Sequence, residues 1–476
     1  MISRGLNRLA GLFAAAMLAG APFALPAMAQ DAAPPAAAPA AAAPEAAAPA
    51  PDAAPAAVAA PAEAAPAAAP APKLDTGDTA WMLTSTAIVL MMTIPGLALF
   101  YGGMVRRKNI IATVAQSFVI TCLVTIVWMV VGYSGAFTTN PDANLNKYIG
   151  GFGNLFLSAV TMTSTNSLAA TIPESVFVMF QMTFAIITPA LIAGAFAERM
   201  KFSALILFMT LWAIFVYMPI AHWVWGGGFL GAAGVLDFAG GTVVHINAGV
   251  AGLMCALVLG KRKGYGSENM APSNLVFTMI GASLLWVGWF GFNAGSAVAS
   301  NALAGIAMLN TQVATAAAAL SWMVVEWFER KKPGMLGLAS GAVAGLVAIT
   351  PAAGFVNPQG ALIIGLVAGV VCYAGAVWIK RAFKYDDSLD AFGVHGIGGI
   401  AGALLTGVLA DPAINALGKD HSIITQAKGV GVTIIWTAVA TLVILYICKF
   451  TTGLRVSEES EVEGLDMALH GEALHE

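Results

Sequence analysis

Between Trp81 and Lys449 the chain alternates long apolar runs with short polar connections. The runs lie roughly at 81–105, 110–136, 173–196, 202–221, 242–260, 274–292, 304–328, 335–355, 361–379, 391–409 and 428–449. At about 17–25 residues each, they are long enough as helices to cross about 30 Å of hydrocarbon. The pattern predicts an all-α polytopic membrane protein with eleven transmembrane helices. One connection, 138–172, is longer and rich in Gly, Ser, Thr and Asn, and it reads as structure lying outside the membrane.

Basic residues orient these runs, because positive charge is retained on the cytoplasmic side. Alternate connections hold Arg106, Arg107 and Lys108; Arg199 and Lys201; Lys261, Arg262 and Lys263; Arg330, Lys331 and Lys332; and Lys380, Arg381 and Lys384. The intervening connections hold only Lys147, Lys419 and Lys428. A missed or invented helix would scramble this alternation, so it supports the count and the orientation together. It predicts a periplasmic N-terminus and a cytoplasmic C-terminus.

The residues before the first run agree. Arg4 and Arg8, the apolar stretch Leu9 to Leu25 and then Ala27-Met28-Ala29 form a secretory signal peptide over 1–29. A bacterial inner membrane facing a periplasm is implied. Residues 30–77, almost wholly Ala and Pro over 31–72, read as a disordered periplasmic tether, since the prolines oppose helix and the small side chains give no core. The membrane domain is expected over 78–450 and a cytoplasmic regulatory tail over 451–476.

Composition narrows the function. The 476 residues are 59% hydrophobic and 10% charged with a net charge of −3, which leaves no basic surface for nucleic acid. Cys122, Cys255, Cys372 and Cys448 lie in apolar runs without C-x-x-C spacing, so neither a metal site nor a disulfide framework is expected. They read as small buried hydrophobes. No cofactor and no enzymatic activity are expected.

One internal repeat stands out. Val244-His245-Ile-Asn-Ala-Gly249-Val250-Ala251-Gly252 matches Val394-His395-Gly-Ile-Gly-Gly399-Ile400-Ala401-Gly402, and an aspartate precedes each histidine by eight positions, Asp237 and Asp387. The copies fall in the fifth and tenth runs. Five is odd, so the second five-helix unit enters the membrane in the opposite sense, which predicts two inverted repeats plus a last helix, with His245 and His395 brought together near a pseudo-two-fold axis. Ionisable groups inside a membrane are costly and mark a pathway or a proton relay. A bare cation in an apolar bore faces a large desolvation penalty. An amine with a pKa of about 9–10 avoids most of it by shedding a proton at pH 7, for roughly 3–5 kcal/mol. Neutral imidazoles can donate and accept hydrogen bonds, which suits ammonium better than sodium or potassium.

With these motifs, together with Thr93-Ile-Pro-Gly-Leu-Ala-Leu-Phe-Tyr-Gly-Gly103, Asp237-Phe-Ala-Gly-Gly-Thr-Val-Val-His245-Ile-Asn247, Gly288-Trp-Phe-Gly-Phe-Asn-Ala-Gly-Ser296 and Phe392-Gly-Val-His-Gly396, the chain resembles the ammonium transporter family of the Amt type, related to the Rhesus proteins. The resemblance runs from about residue 78 to the tail. It implies a homotrimer with eleven helices and one narrow pore per subunit. It implies that Trp225 and Ser296 recruit ammonium, that Phe180 and Phe292 stack as a gate, and that His245 and His395 conduct ammonia. Asp237 is implied to support the outer site by capping the fifth helix. Glu174 and Glu326 receive no pore role. The tail, Gly453 to Glu472, resembles a segment that packs across subunits and helps dock a P-II signalling protein, although Ser457 stands where many relatives have proline.

The sequence therefore favours ammonium uptake and leaves open methylammonium or carbon dioxide as additional permeants. It leaves open whether charge moves with the ammonia, and it leaves two other readings: an ammonium sensor acting through a P-II partner, and a bis-histidine haem protein.

Overall fold

The structure, a computed structural model, describes residues 73–474; the expected signal peptide and nearly all of the Ala/Pro segment lie outside them. The described residues are helical, with two isolated bridges and no β-strand. Each apolar run forms a helix. In chain order these are α1 Thr76–Met104, α2 Arg107–Phe137, α3 Glu174–Phe196, α4 Phe202–Ala232, α5 Gly241–Leu259, α6 Leu275–Ala297, α7 Ala302–Arg330, α8 Met335–Ile349, α9 Pro358–Phe383, α10 Phe392–Leu409 and α11 Ile423–Thr451. Ten of them are long and apolar enough to cross a membrane. A short α12, Glu458–Glu463, follows in the tail.

The eighth run differs from expectation. α8 has 15 residues, roughly 22 Å of helix and short of a full crossing. Pro351 follows, and it has no N–H with which to continue the ladder. The next residues, 351–356, form buried turns rather than helix. The Asn310 side-chain amide donates to the carbonyls of Ala353 (2.9 Å) and Val356 (2.7 Å), supplying partners that a helix would have provided.

Local capping explains the other starts. Asn274, Asn301 and Ser422 each accept a backbone N–H of the helix that follows, and Asn357 does so with Pro358 in the first turn. The long connection 138–173 lacks regular structure beyond two short 3₁₀ turns, Leu145–Lys147 and Leu155–Leu157. It packs over one end of α4. There Trp223 Nε1 donates to Tyr148 O (2.7 Å), and the two His222 ring nitrogens lie 2.9 and 2.7 Å from the carbonyls of Ala136 and Asn146.

Polar contacts gather the connections at two ends of the bundle. At one end Arg106 pairs with Glu198 (2.8 Å), and Arg262 pairs with Glu198 (3.4 Å) and Asp386 (2.9 Å), which joins the connections after α1, α3, α5 and α9. Glu329 at the end of α7 accepts from Tyr373 and Trp378 on α9, both at 2.8 Å. The tail lies here too: Val456 N donates to Arg199 O (3.1 Å), and Arg455 pairs with Glu461 (2.7 Å). At the other end Ser300 N donates to Asp78 (2.7 Å), Leu236 N to Gln426 (2.7 Å) and Asp411 N to Phe355 O (2.7 Å).

α3 is almost wholly buried, whereas only about a third of α11 is buried. α5 and α10 cross beside α3 with almost no space between them. A Cβ at Gly249 would stand 2.1 Å from Gly396 N, and one at Gly399 would stand 3.0 Å from Gly241 O. Gly249→Val is therefore expected to cost about 3 kcal/mol and to lower the melting temperature in detergent. Gly431→Ala, where a Cβ meets open space, should leave that temperature unchanged.

Candidate functional site

The crossing of α5 and α10 places two imidazoles in contact at the centre of the fold. His245 and His395 are both buried, 1% and 4% exposed. Their Nδ1 atoms lie 3.3 Å apart, with ring centroids at 5.4 Å and planes inclined by 17°. So short an edge contact between nearly parallel rings means that they meet edge to edge, one nitrogen donating and the other accepting. His245 Nε2 is buried and has no protein hydrogen-bond partner among the described residues.

A column of aromatic rings leads to this pair. Trp225 is half-buried, and its Nε1 donates to the carbonyl of Asp237 (2.8 Å), which fixes the indole. Phe184 stands perpendicular to Trp225 with centroids 5.8 Å apart. Phe184 then stacks on Phe292 at 4.2 Å and 27°, and Phe292 lies 6.0 Å from the His245 ring. Ser296 Oγ donates to Phe292 O (2.7 Å), so its lone pairs remain free to accept.

The expected stack of Phe180 on Phe292 is therefore made by Phe184. Phe180 sits edge-on to Phe184 at 5.0 Å and beside Gly295, where an added Cβ would lie 3.0 Å from its ring. The two phenylalanines are four residues apart on α3 and share a face. Spacing identifies that face but not the depth at which each ring meets α6. The i+4 repeat Phe180/Phe184 was the available signal for the missed ring. Trp289 was missed as well: it stacks on His245 with centroids 5.4 Å apart and planes at 17°.

Asp237 begins α5. Its carboxylate accepts the backbone N–H groups of Gly240 (2.7 Å), Gly241 (2.6 Å), Thr242 (2.8 Å) and Val243 (3.2 Å), together with the Thr242 hydroxyl. A carboxylate placed on the free amides of a helix start is held by charge-assisted bonds and by the helix dipole. Among the described residues no group of three or more His, Cys, Asp or Glu side chains could hold a metal. A haem needs its iron between two ring nitrogens, and two rings in direct edge contact do not fit one.

The profile of the Ammonium Transporter Family matches residues 80–474. The chain belongs to the ammonium transporter family. A relative from Aquifex aeolicus (strain VF5), named as an ammonium transporter, is 52% identical over 407 residues, which is 84% of this chain and 93% of that one. The crystal structure of Saccharomyces cerevisiae Mep2 is similar with a TM-score of 0.75 and 33% identity, covering 81% of this chain and 88% of that one. A sensor Amt protein is similar with a TM-score of 0.76 and 29% identity, covering 83% and 98%.

In this ammonium transporter the two repeat aspartates are not equivalent. Asp387 caps α10 through only two amides, Ala391 (3.1 Å) and Phe392 (2.7 Å). Burial, together with the neighbouring charge of Asp390, pushes its carboxyl up to about 6 from the ordinary 3.8. The folded transporter therefore binds this proton more tightly than the unfolded chain, and the resulting stability is lost as pH rises from about 4 through about 6. Asp387→Asn is expected to flatten this part of a melting-temperature profile measured in detergent between pH 4 and 7.

Proposed function

We propose that the protein takes up ammonium across a bacterial inner membrane by recruiting the cation, removing its proton and conducting ammonia through its own core, with or without net proton transfer. The observation that carries the reading is the unbroken column from Trp225 through Phe184 and Phe292 to the buried imidazole pair. At its outer end the Trp225 ring attracts the cation through its π face, and Ser296 accepts a hydrogen bond from it. The Phe184–Phe292 stack, with Phe180 at its upper edge, closes the path to water and makes carriage of a charge unfavourable. Ammonia then meets His245, whose Nε2 can accept or donate, and passes to His395. No proposed pore contact is a formally charged side chain, as passage of a neutral molecule requires. Asp237 holds both Trp225 and the start of α5, so it supports the site without meeting the substrate.

In the same reading the chain crosses the membrane eleven times. α8 is extended by the buried turn after it, and the two halves are inverted repeats with α11 added. The gathering of alternate connections at opposite ends supports this, and the basic clusters put the tail in the cytoplasm. Residues 1–29 are removed as a signal peptide, residues 30–77 tether the periplasmic end, and three copies assemble, each with its own pore. The tail offers a docking surface to a P-II protein. The likeness to a sensor Amt protein favours a second reading, in which ammonium binding is reported to such a partner. That reading predicts partner binding through Arg455 and the tail without measurable flux.

The test is ammonium-driven current in proteoliposomes at two ammonium concentrations and two pH values, alongside growth of uptake-deficient cells on low ammonium. His245→Leu and His395→Leu should each change or abolish the current; full current in both would overturn the histidine pathway. Trp225→Leu removes a contact of about 1–2 kcal/mol. It should raise the half-saturating methylammonium concentration roughly tenfold in an uptake assay.

A further inference from the structure

Trp289 and Thr350 form a buried pair that the pathway above leaves unused. Trp289 is 1% exposed and Thr350 is fully buried. The indole Nε1 donates to Thr350 Oγ1 at 2.9 Å, and the Thr350 hydroxyl in turn donates to Leu346 O at 2.8 Å. Because the hydroxyl proton is committed to that carbonyl, its lone pairs are turned towards the indole. The chain Trp289 N–H, Thr350 O–H, Leu346 C=O runs in one direction, and consecutive bonds of this kind reinforce one another in a low-dielectric interior. It closes at the end of α8, beside the break before Pro351.

The indole so held lies against one imidazole of the pair. Its plane is within 17° of the His245 ring at a centroid distance of 5.4 Å. His395 has no aromatic contact among the described residues other than His245 itself. A histidine in a working site is usually fixed by a hydrogen bond on the ring nitrogen opposite the working one. His245 lacks this: its Nδ1 meets His395 and its Nε2 has no protein partner. One bond at a ring edge leaves the ring free to turn about its Cβ–Cγ axis, and turning breaks the edge-to-edge register with His395. The indole, held nearly parallel at 5.4 Å, stands in the way of that rotation.

We infer that Trp289, locked by the Thr350 hydroxyl, is a positioning residue that sets the plane of His245 and so keeps the two imidazoles in proton-exchanging register. This deepens the proposed pathway and rests on it. Thr350 needs only a hydroxyl in this role, and Trp289 needs both its face and its N–H. α8 is too short to cross the membrane by itself, but its end carries the group that holds the pair in line.

The test uses the full-length protein in proteoliposomes. Thr350→Val keeps the shape and removes the acceptor; Thr350→Ser keeps the hydroxyl. Thr350→Val is expected to lower the maximal ammonium-driven current roughly tenfold. The half-saturating concentration, set at Trp225 and Ser296, should stay within about twofold, and the pH profile should shift. Thr350→Ser should restore the rate and the pH profile. If His245→Leu retains a measurable current, the further effect of Thr350→Val on it should vanish, whereas a pair serving only to join α6 to α8 would cost the same in both backgrounds; if it retains none, the Thr350→Ser rescue of rate and pH profile decides. The inference is overturned if Thr350→Val conducts normally, if Thr350→Ser is equally impaired, or if the loss persists without His245. Failure of the underlying pathway looks different: His245→Leu would itself conduct as the unaltered protein does.

Discussion

The structure depends on two helices being allowed to touch backbone to backbone. α5 and α10 pass so closely at Gly249 and Gly396 that no side chain of any size fits between them. Only because of this do two imidazoles, 150 positions apart in the chain, reach each other at the centre of the fold. The other features of the site serve that contact. Glycine removes the side chains that would hold the helices apart, Asp237 and Asp387 satisfy the amides at their starts, and aromatic rings pack against the pair. A membrane interior offers no hydrophobic drive for helix association, so close packing and fully paired polar groups have to supply it.

Charge is distributed accordingly. Arg106, Glu198, Arg262 and Asp386 form a buried network at one end of the bundle, where each ion has a partner; burial works to raise the Asp386 carboxyl, but its bonds to Arg262 hold it below the ordinary range. The middle of the fold uses neutral hydrogen bonds instead: Asn310 to two carbonyls, Trp289 to Thr350, Thr437 to Asn247 at 2.8 Å. The difference matches the cost of the two kinds of burial, since an unpaired ion in hydrocarbon costs far more than an amide with its partners. It also bears on transport. In the proposed pathway, releasing a proton from ammonium costs a few kcal/mol, and the charge-free column favours that over carriage of the cation.

Much of this was legible in the sequence. Ten of the apolar runs marked helices long and apolar enough to cross a membrane, because hydrocarbon thickness sets a length that composition alone reveals, and the eighth marked a shorter one. The V-H-x-x-x-G repeat pointed to the histidine pair, because a shared offset from Asp237 and Asp387 reflects a shared helix geometry. Depth along a helix was not legible. Phe180 and Phe184 satisfy the same spacing, and only the packing of α3 on α6 decides which ring lies on Phe292. The end of α8 was hidden for a related reason: the run 335–355 stays apolar beyond Ile349, and hydropathy does not register that Pro351 ends the ladder. Trp289 and Thr350 are 61 positions apart, in segments whose pattern says only that both are buried.

The tail has a bearing on how such a chain is made. Asp466 accepts the backbone N–H of Ala112 at 2.8 Å, so the start of α2 is finished by a residue more than 350 positions later, and Asn109 in return accepts the N–H of Leu465 at 2.8 Å. Until the tail has folded back, the first turn of α2 lacks this partner. The last polar partner of an early helix thus arrives at the end of translation.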